Sequence, residues 1–147
     1  MTEQKTNGKI LKILVVEDLF EHMLIIKNAL KKSNIENQVF AAMDGKEAID
    51  FLFNQGKYES IEKAPKPDII LLDLKLPKFN GLEVLEKIKD DSKLREIPVV
   101  ILTSSKKDED IVKTHELGAK SYIQKSIFIE SDTNKIEKLF DAIFSMA

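Results

Sequence analysis

Three runs of four aliphatic residues constrain the fold of this chain more than any other feature: Ile13-Leu14-Val15-Val16, Ile69-Ile70-Leu71-Leu72 and Val99-Val100-Ile101-Leu102. None alternates with polar residues, so each reads as a strand buried on both faces, the mark of a parallel sheet covered by helices. A weaker run, Val39-Phe40-Ala41-Ala42, and the short, less hydrophobic Ser121 to Gln124 complete a set of five. The segments between them carry apolar stripes at helical spacing. Leu19, Met23, Ile26 and Leu30 form the first, Ala48, Ile49, Leu52 and Phe53 the second, and Leu82, Leu85 and Ile88 the third. A last stripe is Ile136, Leu139, Phe140, Ile143 and Phe144. Lys107 to Leu117 is a thinner helix, with Ile111 and Val112 as its main apolar residues and Gly118 as its stop. Strand and helix alternate throughout, which predicts βαβ units with right-handed crossovers.

Local signals sharpen the boundaries. Asn80 with Glu83 three residues on has the form of a capping box, and Asp44-Gly45 opens the second helix on a turn. Pro77 and Asn80-Gly81 read as the turn that leads from the third strand to the third helix. The stretch NQGKYESIEKAPKP, residues 54 to 67, is long for a connection and ends in two prolines, so it is expected to be a surface excursion. Ile127-Phe128-Ile129 suits either core beneath the last helix or an association surface.

Composition removes several function classes. The 147 residues suffice for one domain with a proper core. Lys plus Arg number 23 against 25 for Asp plus Glu, a net charge of −2, which gives no sign of a nucleic-acid surface. The absence of cysteine excludes disulfides, thiolate nucleophiles and Cys-based zinc sites. His22 and His115 are isolated and read as surface helix residues. The N-terminal MTEQKTNGK is polar and no run is long enough to span a bilayer, so a cytoplasmic protein is expected.

The charged residues then fall into a pattern. The first strand ends in Glu17-Asp18, the third in Asp73, the fourth in Thr103-Ser104-Ser105 and the fifth in Lys125. In an open parallel sheet these are carboxyl ends, where ligands bind. Three clustered carboxylates repel one another unless a hard divalent cation joins them, and Mg²⁺ fits best. With a metal in place, a carboxylate oxygen of Asp73 can attack a phosphoryl group whose charge is offset by the metal and Lys125, with Thr103 donating a hydrogen bond. Simpler roles exist for each: Asp73 as a solvated strand end, Asp18 as the N-cap of the first helix, Thr103 as an ordinary strand residue.

The fragments VVED, LLDLKLPKFNG, LTSS and YIQK, in this order and at these spacings, resemble the receiver domain of two-component response regulators. The resemblance covers about residues 10 to 147 and implies a flavodoxin-like (βα)5 three-layer sandwich with strand order 2-1-3-4-5. It implies residues 10–147 as a single receiver domain behind a disordered tail at 1–9. Asp73 is then the phosphoacceptor, Mg²⁺ is held by Glu17, Asp18 and Asp73 with the backbone carbonyl of Lys75, and Thr103 and Lys125 contact the phosphoryl group. Tyr122 is the aromatic that swings inward as Thr103 moves, and Lys75 and Ser105 flank the water that attacks the acyl phosphate. Such a protein is a switch and catalyses only its own phosphorylation and dephosphorylation.

Receivers usually carry a proline after the lysine, often with a cis bond, but Ser126 follows Lys125 here. Ser104 likewise stands where a small apolar residue is more usual. With the loop around Tyr58, these features resemble the stand-alone regulators of phytochrome-like histidine kinases. The implied partners are such a kinase, an unidentified downstream protein and a second copy of the chain, paired through the 107–117 helix, fifth strand and last helix. Neither nucleic acid nor membrane is implied.

Two other functions share parts of the pattern. A phosphohydrolase of haloacid-dehalogenase type wants a second aspartate two residues after the first, where this chain has Lys75, and a P-loop nucleotidase wants a glycine-rich phosphate loop that none of the glycines builds. A receiver-like module that no longer takes phosphate would not need the intact set of Glu17, Asp18, Asp73, Thr103 and Lys125.

Overall fold

In the computed structural model, the structure describes residues 10–76, 80–103, 115–130 and 133–145. The aliphatic runs become the strands β1 (Leu11–Val16), β3 (Ile69–Asp73) and β4 (Val99–Thr103), with β2 (Asn37–Ala42) and β5 (Ser121–Gln124) at the edges. All pairings are parallel and the order is β2-β1-β3-β4-β5, as the resemblance implied. The helices are α1 (Phe20–Lys32), α2 (Gly45–Leu52), α3 (Gly81–Asp90), α4 (Ser126–Ile129) and α5 (Thr133–Ser145). Residues 107–114 of the expected helix, with Ile111 and Val112, lie outside the described residues, as do Pro77 and residues 1–9, while His115 and Glu116 are helical. The stop of this helix is described as well: Gly118 has φ +98 and donates its N–H to the His115 carbonyl.

Alternate residues of each central strand feed opposite cores. Leu14, Val16, Ile70, Leu72, Val99 and Ile101 pack against α2 and α3 through Phe51, Leu52, Val84, Leu85 and Ile88. Ile13, Val15, Ile69, Leu71, Val100 and Leu102 pack against α1, α4 and α5 through Met23, Ile26, Leu30, Phe128, Ile136 and Phe140. Two dry layers on one sheet leave the strands no freedom to slip, because a shift of one residue would swap the faces. Register is therefore fixed, and it sets Val16 beside Leu72, Asp73 beside Leu102, and Thr103 beside Gln124.

The caps of α2 and α3 behave as read, and the start of α1 does not. Asn80 and Glu83 form a reciprocal capping box on α3, and the Asp44 side chain accepts from the Glu47 N–H on α2. Leu19, placed in the apolar stripe, is instead the extended N-cap of α1 and half exposed, because the chain is still turning off β1 there. Asp18 is likewise not the N-cap: the Glu17 side chain accepts the Leu19 N–H at 3.1 Å. In the ambiguous Ile127-Phe128-Ile129, α4 buries Phe128 completely, as the core reading expected, and leaves Ile129 exposed.

The 54–67 excursion is more tightly bound than its composition suggested. Asn54, in the left-handed region at φ 54, donates its side-chain amide to the carbonyls of Tyr58 and Ala64. Ala64 is buried, and the Tyr58 ring stands edge-on to Phe51, their centroids 5.2 Å apart. The Tyr58 hydroxyl donates to Glu47 Oε2 at 2.7 Å, Lys57 pairs with the same oxygen at 2.9 Å, and Glu47 Oε1 accepts the Met43 N–H. Burial pushes the Glu47 carboxyl up, but these donors outweigh it and hold its pKa below the ordinary value. The excursion is thus a brace on the turn after β2.

Tyr58→Phe is expected to lose about 1 kcal/mol of stability at pH 7 in urea denaturation. Because the folded pKa of Glu47 is depressed, its contribution is complete above its unfolded value of 4.5 and fades as pH falls through the folded one. The gap between variant and wild type should therefore narrow below that pH, and equal stability at pH 7 would contradict the brace.

Candidate functional site

Because β1 and β3 are neighbours in fixed register, Glu17, Asp18 and Asp73 reach one place at the carboxyl edge of the sheet. Each offers a carboxylate oxygen, and these oxygens all lie within 4.8 Å of one another. Glu17 is fully buried and Asp73 is 5% exposed, whereas Asp18 is half-buried at the mouth. Charges buried this deeply need partners. Lys125, itself 6% exposed, supplies one: its Nζ lies 2.6 Å from Glu17 Oε1 and 2.9 Å from Asp73 Oδ2. The second Asp73 oxygen, Oδ1, accepts the Lys75 N–H at 3.1 Å.

The electrostatics are those of a pocket short of positive charge. Burial raises the Glu17 pKa, and the Asp73 charge adds to this, against the pull of Lys125 and the Leu19 N–H. Burial alone would lower the Lys125 pKa, but the contacts to Glu17 and Asp73 hold it above the ordinary lysine value. Among the described residues one ammonium faces three carboxylates, and Glu17 Oε1 has close ionic contact yet no aligned hydrogen bond. A buried carboxylate oxygen left in that state beside two more carboxylates suits a hard divalent cation with oxygen ligands. Glu17, Asp18 and Asp73 therefore fit such a metal.

The other predicted residues are placed unevenly. Tyr122 on β5 is 43% exposed. Thr103 ends β4 opposite Gln124, one strand from Asp73, but its side chain lies outside the described residues, as do Ser104 and Ser105. The Lys75 side chain is exposed. None of the described peptide bonds is cis, so Lys125-Ser126 is trans; Lys125 is helical at φ −57, ψ −25, and Ser126 begins α4.

His22 was read as a plain surface residue and is not one. Its Nδ1 lies 3.4 Å from Lys125 Nζ and 3.7 Å from Glu17 Oε1, with a third of its side chain exposed. The signal was its place in the first turn of α1, just after Glu17 and Asp18.

A doubly wound α/β protein with a buried acidic pocket closed by a lysine at its carboxyl edge is the class that fold and site define. Residues 13–137 match the response regulator receiver domain family. The chain belongs to that family and is a response regulator. It is 40% identical over 126 residues to response regulator Rcp1 of Synechocystis sp., covering 86% of this chain and 82% of that one. It is 36% identical over 128 residues to the probable methanogenesis regulatory protein FilR2 of Methanothrix harundinacea, covering 86% and 79%. Among solved structures it is similar to the phosphorylated cyanobacterial phytochrome response regulator RcpA, at 37% identity and TM-score 0.82 over 95% of this chain and 97% of that one. It is also similar to the Mn²⁺-bound form of Rcp1, at 38% identity and TM-score 0.73, covering 82% and 88%.

At ten times its Kd, a divalent cation is expected to stabilise the wild type by about 1.4 kcal/mol, read as a shift in the urea midpoint. Asp18→Asn should lose most of that shift, since Asp18 is the least buried of the three carboxylates and its loss leaves the Lys125 contacts intact; a full shift in the variant would exclude Asp18 from metal binding.

Proposed function

We propose that Asp73 accepts a phosphoryl group from a histidine kinase in a Mg²⁺-dependent reaction, and that the phosphorylated chain signals through altered protein contacts. The observation that carries this reading is the placement of Asp73 at the end of a strand buried on both faces, within reach of two further carboxylates and 2.9 Å from Lys125. Glu17, Asp18 and Asp73, with the Lys75 carbonyl, would hold Mg²⁺, which offsets charge on the phosphoryl oxygens when bound. An Asp73 oxygen forms the new bond to phosphorus as the phosphorus–nitrogen bond to the donor histidine breaks. Lys125, already beside Asp73 Oδ2, moves from pairing a carboxylate to pairing the phosphoryl group, and Thr103 donates to another of its oxygens.

The same reading extends to the rest of the molecule. Residues 10–147 act as one receiver domain in the cytoplasm that turns over no outside substrate beyond its phosphodonor. The phytochrome regulators among its relatives support a phytochrome-type kinase as that donor. An output face is supported by a groove of about 770 Å³ that Tyr122, Ile127, Leu139 and Lys138 line beside the pocket. Inward rotation of Tyr122 would reshape this groove, which suits a downstream protein or a second copy of the chain.

Incubation with a small phosphodonor and Mg²⁺ should add one phosphate to the wild type by intact-mass measurement and none to Asp73→Asn. Equal labelling of both would reject Asp73 as acceptor. Replacing Lys75 or Ser105 should change the lifetime of the acyl phosphate by severalfold without preventing its formation, as followed by the decay of the phosphorylated mass.

A further inference from the structure

Gly81, the first residue of α3, lies directly beneath the peptide that carries the proposed phosphoacceptor. A Cβ at this position would stand 2.5 Å from the Asp73 carbonyl oxygen, 2.5 Å from Leu74 Cα and 3.1 Å from the Leu74 carbonyl oxygen. These are backbone atoms and cannot swing aside as a side chain would. The Gly81 N–H donates to the Leu74 carbonyl at 2.9 Å, so helix and strand end are held together as well as closely packed.

Neither partner is free to yield as a whole. The start of α3 is held by the Asn80–Glu83 capping box and by Val84, Leu85 and Ile88, all completely buried. Ile70 to Asp73 are held by pairing along β4. What can give is the turn after the strand, Leu74-Lys75, whose next N–H orients Asp73 Oδ1.

We infer that Gly81 is a positioning residue for the metal pocket: the absence of a side chain lets α3 press on the Asp73-Leu74 peptide and thereby sets the Lys75 N–H and carbonyl against Asp73. The inference rests on the metal reading above and adds a residue that touches neither metal nor phosphate. Any side chain at 81 must open the contact by about half an ångström, since Cβ contacts closer than 3.0 Å essentially do not occur. That displacement passes straight to the Lys75 peptide. Removing outer contacts that orient metal ligands typically lowers affinity by about 10- to 100-fold.

The test uses the full chain and Mn²⁺ alone, with free Mn²⁺ followed by electron paramagnetic resonance and metal-free stability followed by urea denaturation. Gly81→Ala should lower Mn²⁺ affinity by at least about tenfold. Gly118→Ala is the control, because Gly118 has φ +98 and packs on the Lys89 side chain, away from the pocket. It should lose stability while binding Mn²⁺ like the wild type. If Gly81→Ala does not fold, Asn80→Ala loosens the same first turn without adding an atom there and should show a smaller fall in affinity. A folded Gly81→Ala or Asn80→Ala variant that binds as the wild type does, or an equal fall in Gly118→Ala, overturns the inference. A wild type that takes up no Mn²⁺ overturns the metal reading itself and the inference with it.

Discussion

The ammonium of Lys125, set between Glu17 and Asp73, is the interaction on which the carboxyl edge depends. It joins the ends of β1, β3 and β5, although β5 is separated from β3 by β4. Burying these ions costs several kcal/mol each unless their geometry is close, and removal of one leaves the others uncompensated. The contacts are close, but the charge remains unbalanced because Asp18 adds a further carboxylate at the mouth. A protein selected for stability alone would have no use for that imbalance. It is the property that suits this edge to a hard divalent cation, whose entry would exchange what Lys125 pairs with.

The surrounding fold supplies stiffness where that exchange needs it. Both faces of β1 and β3 are dry, so the carboxylates rest on a platform whose register has no alternative. Behind the platform, the Tyr58–Glu47–Met43 chain of hydrogen bonds steadies the turn after β2, and Glu17 reaches that turn through its N–H to the Ala42 carbonyl. The outer strand β5 is less constrained. It is four residues long, pairs on one side only, and carries Tyr122 half out of the surface. Rigidity next to a loose edge is what a bistable element requires, since a shift at the pocket must move something that has two places to be.

Most of this architecture was legible because it rests on periodicity. Unbroken aliphatic runs can only be strands covered twice, and acidic residues at the ends of such strands can only lie on one edge. The meeting of Glu17, Asp18, Asp73 and Lys125 followed from that placement, and the capping box of Asn80 and Glu83 from their spacing. What escaped depends on contacts between distant residues. His22 looked like a surface residue because only the tertiary fold brings Lys125 to it. Tyr58 and Ala64 looked like parts of a loose excursion because hydrogen bonding by Asn54 and packing on Phe51 are not visible in composition. Leu19 was misplaced for a local reason: the Glu17 carboxylate takes its N–H and delays the helix by one residue.

Ser126 raises the question of what positions Lys125 when the usual proline is missing. The answer lies in the backbone that follows. The Lys125 carbonyl accepts the N–H groups of both Phe128 and Ile129, making Lys125 the entry to α4. Phe128 is completely buried against the core that β1 and α1 share. The backbone of Lys125 is thus anchored from the apolar layer, while its ammonium is anchored from the acidic pocket. Ser126, joined to Lys125 by a trans peptide, begins this helix at a first-turn position that needs no intrahelical N–H bond. Fixing both ends of one side chain by opposite kinds of force, burial at Phe128 and charge at Asp73, makes any rearrangement of the pocket felt along α4. That helix is also where Ile127 enters the groove beside Tyr122, so the acidic pocket and the surface groove are one turn of helix apart.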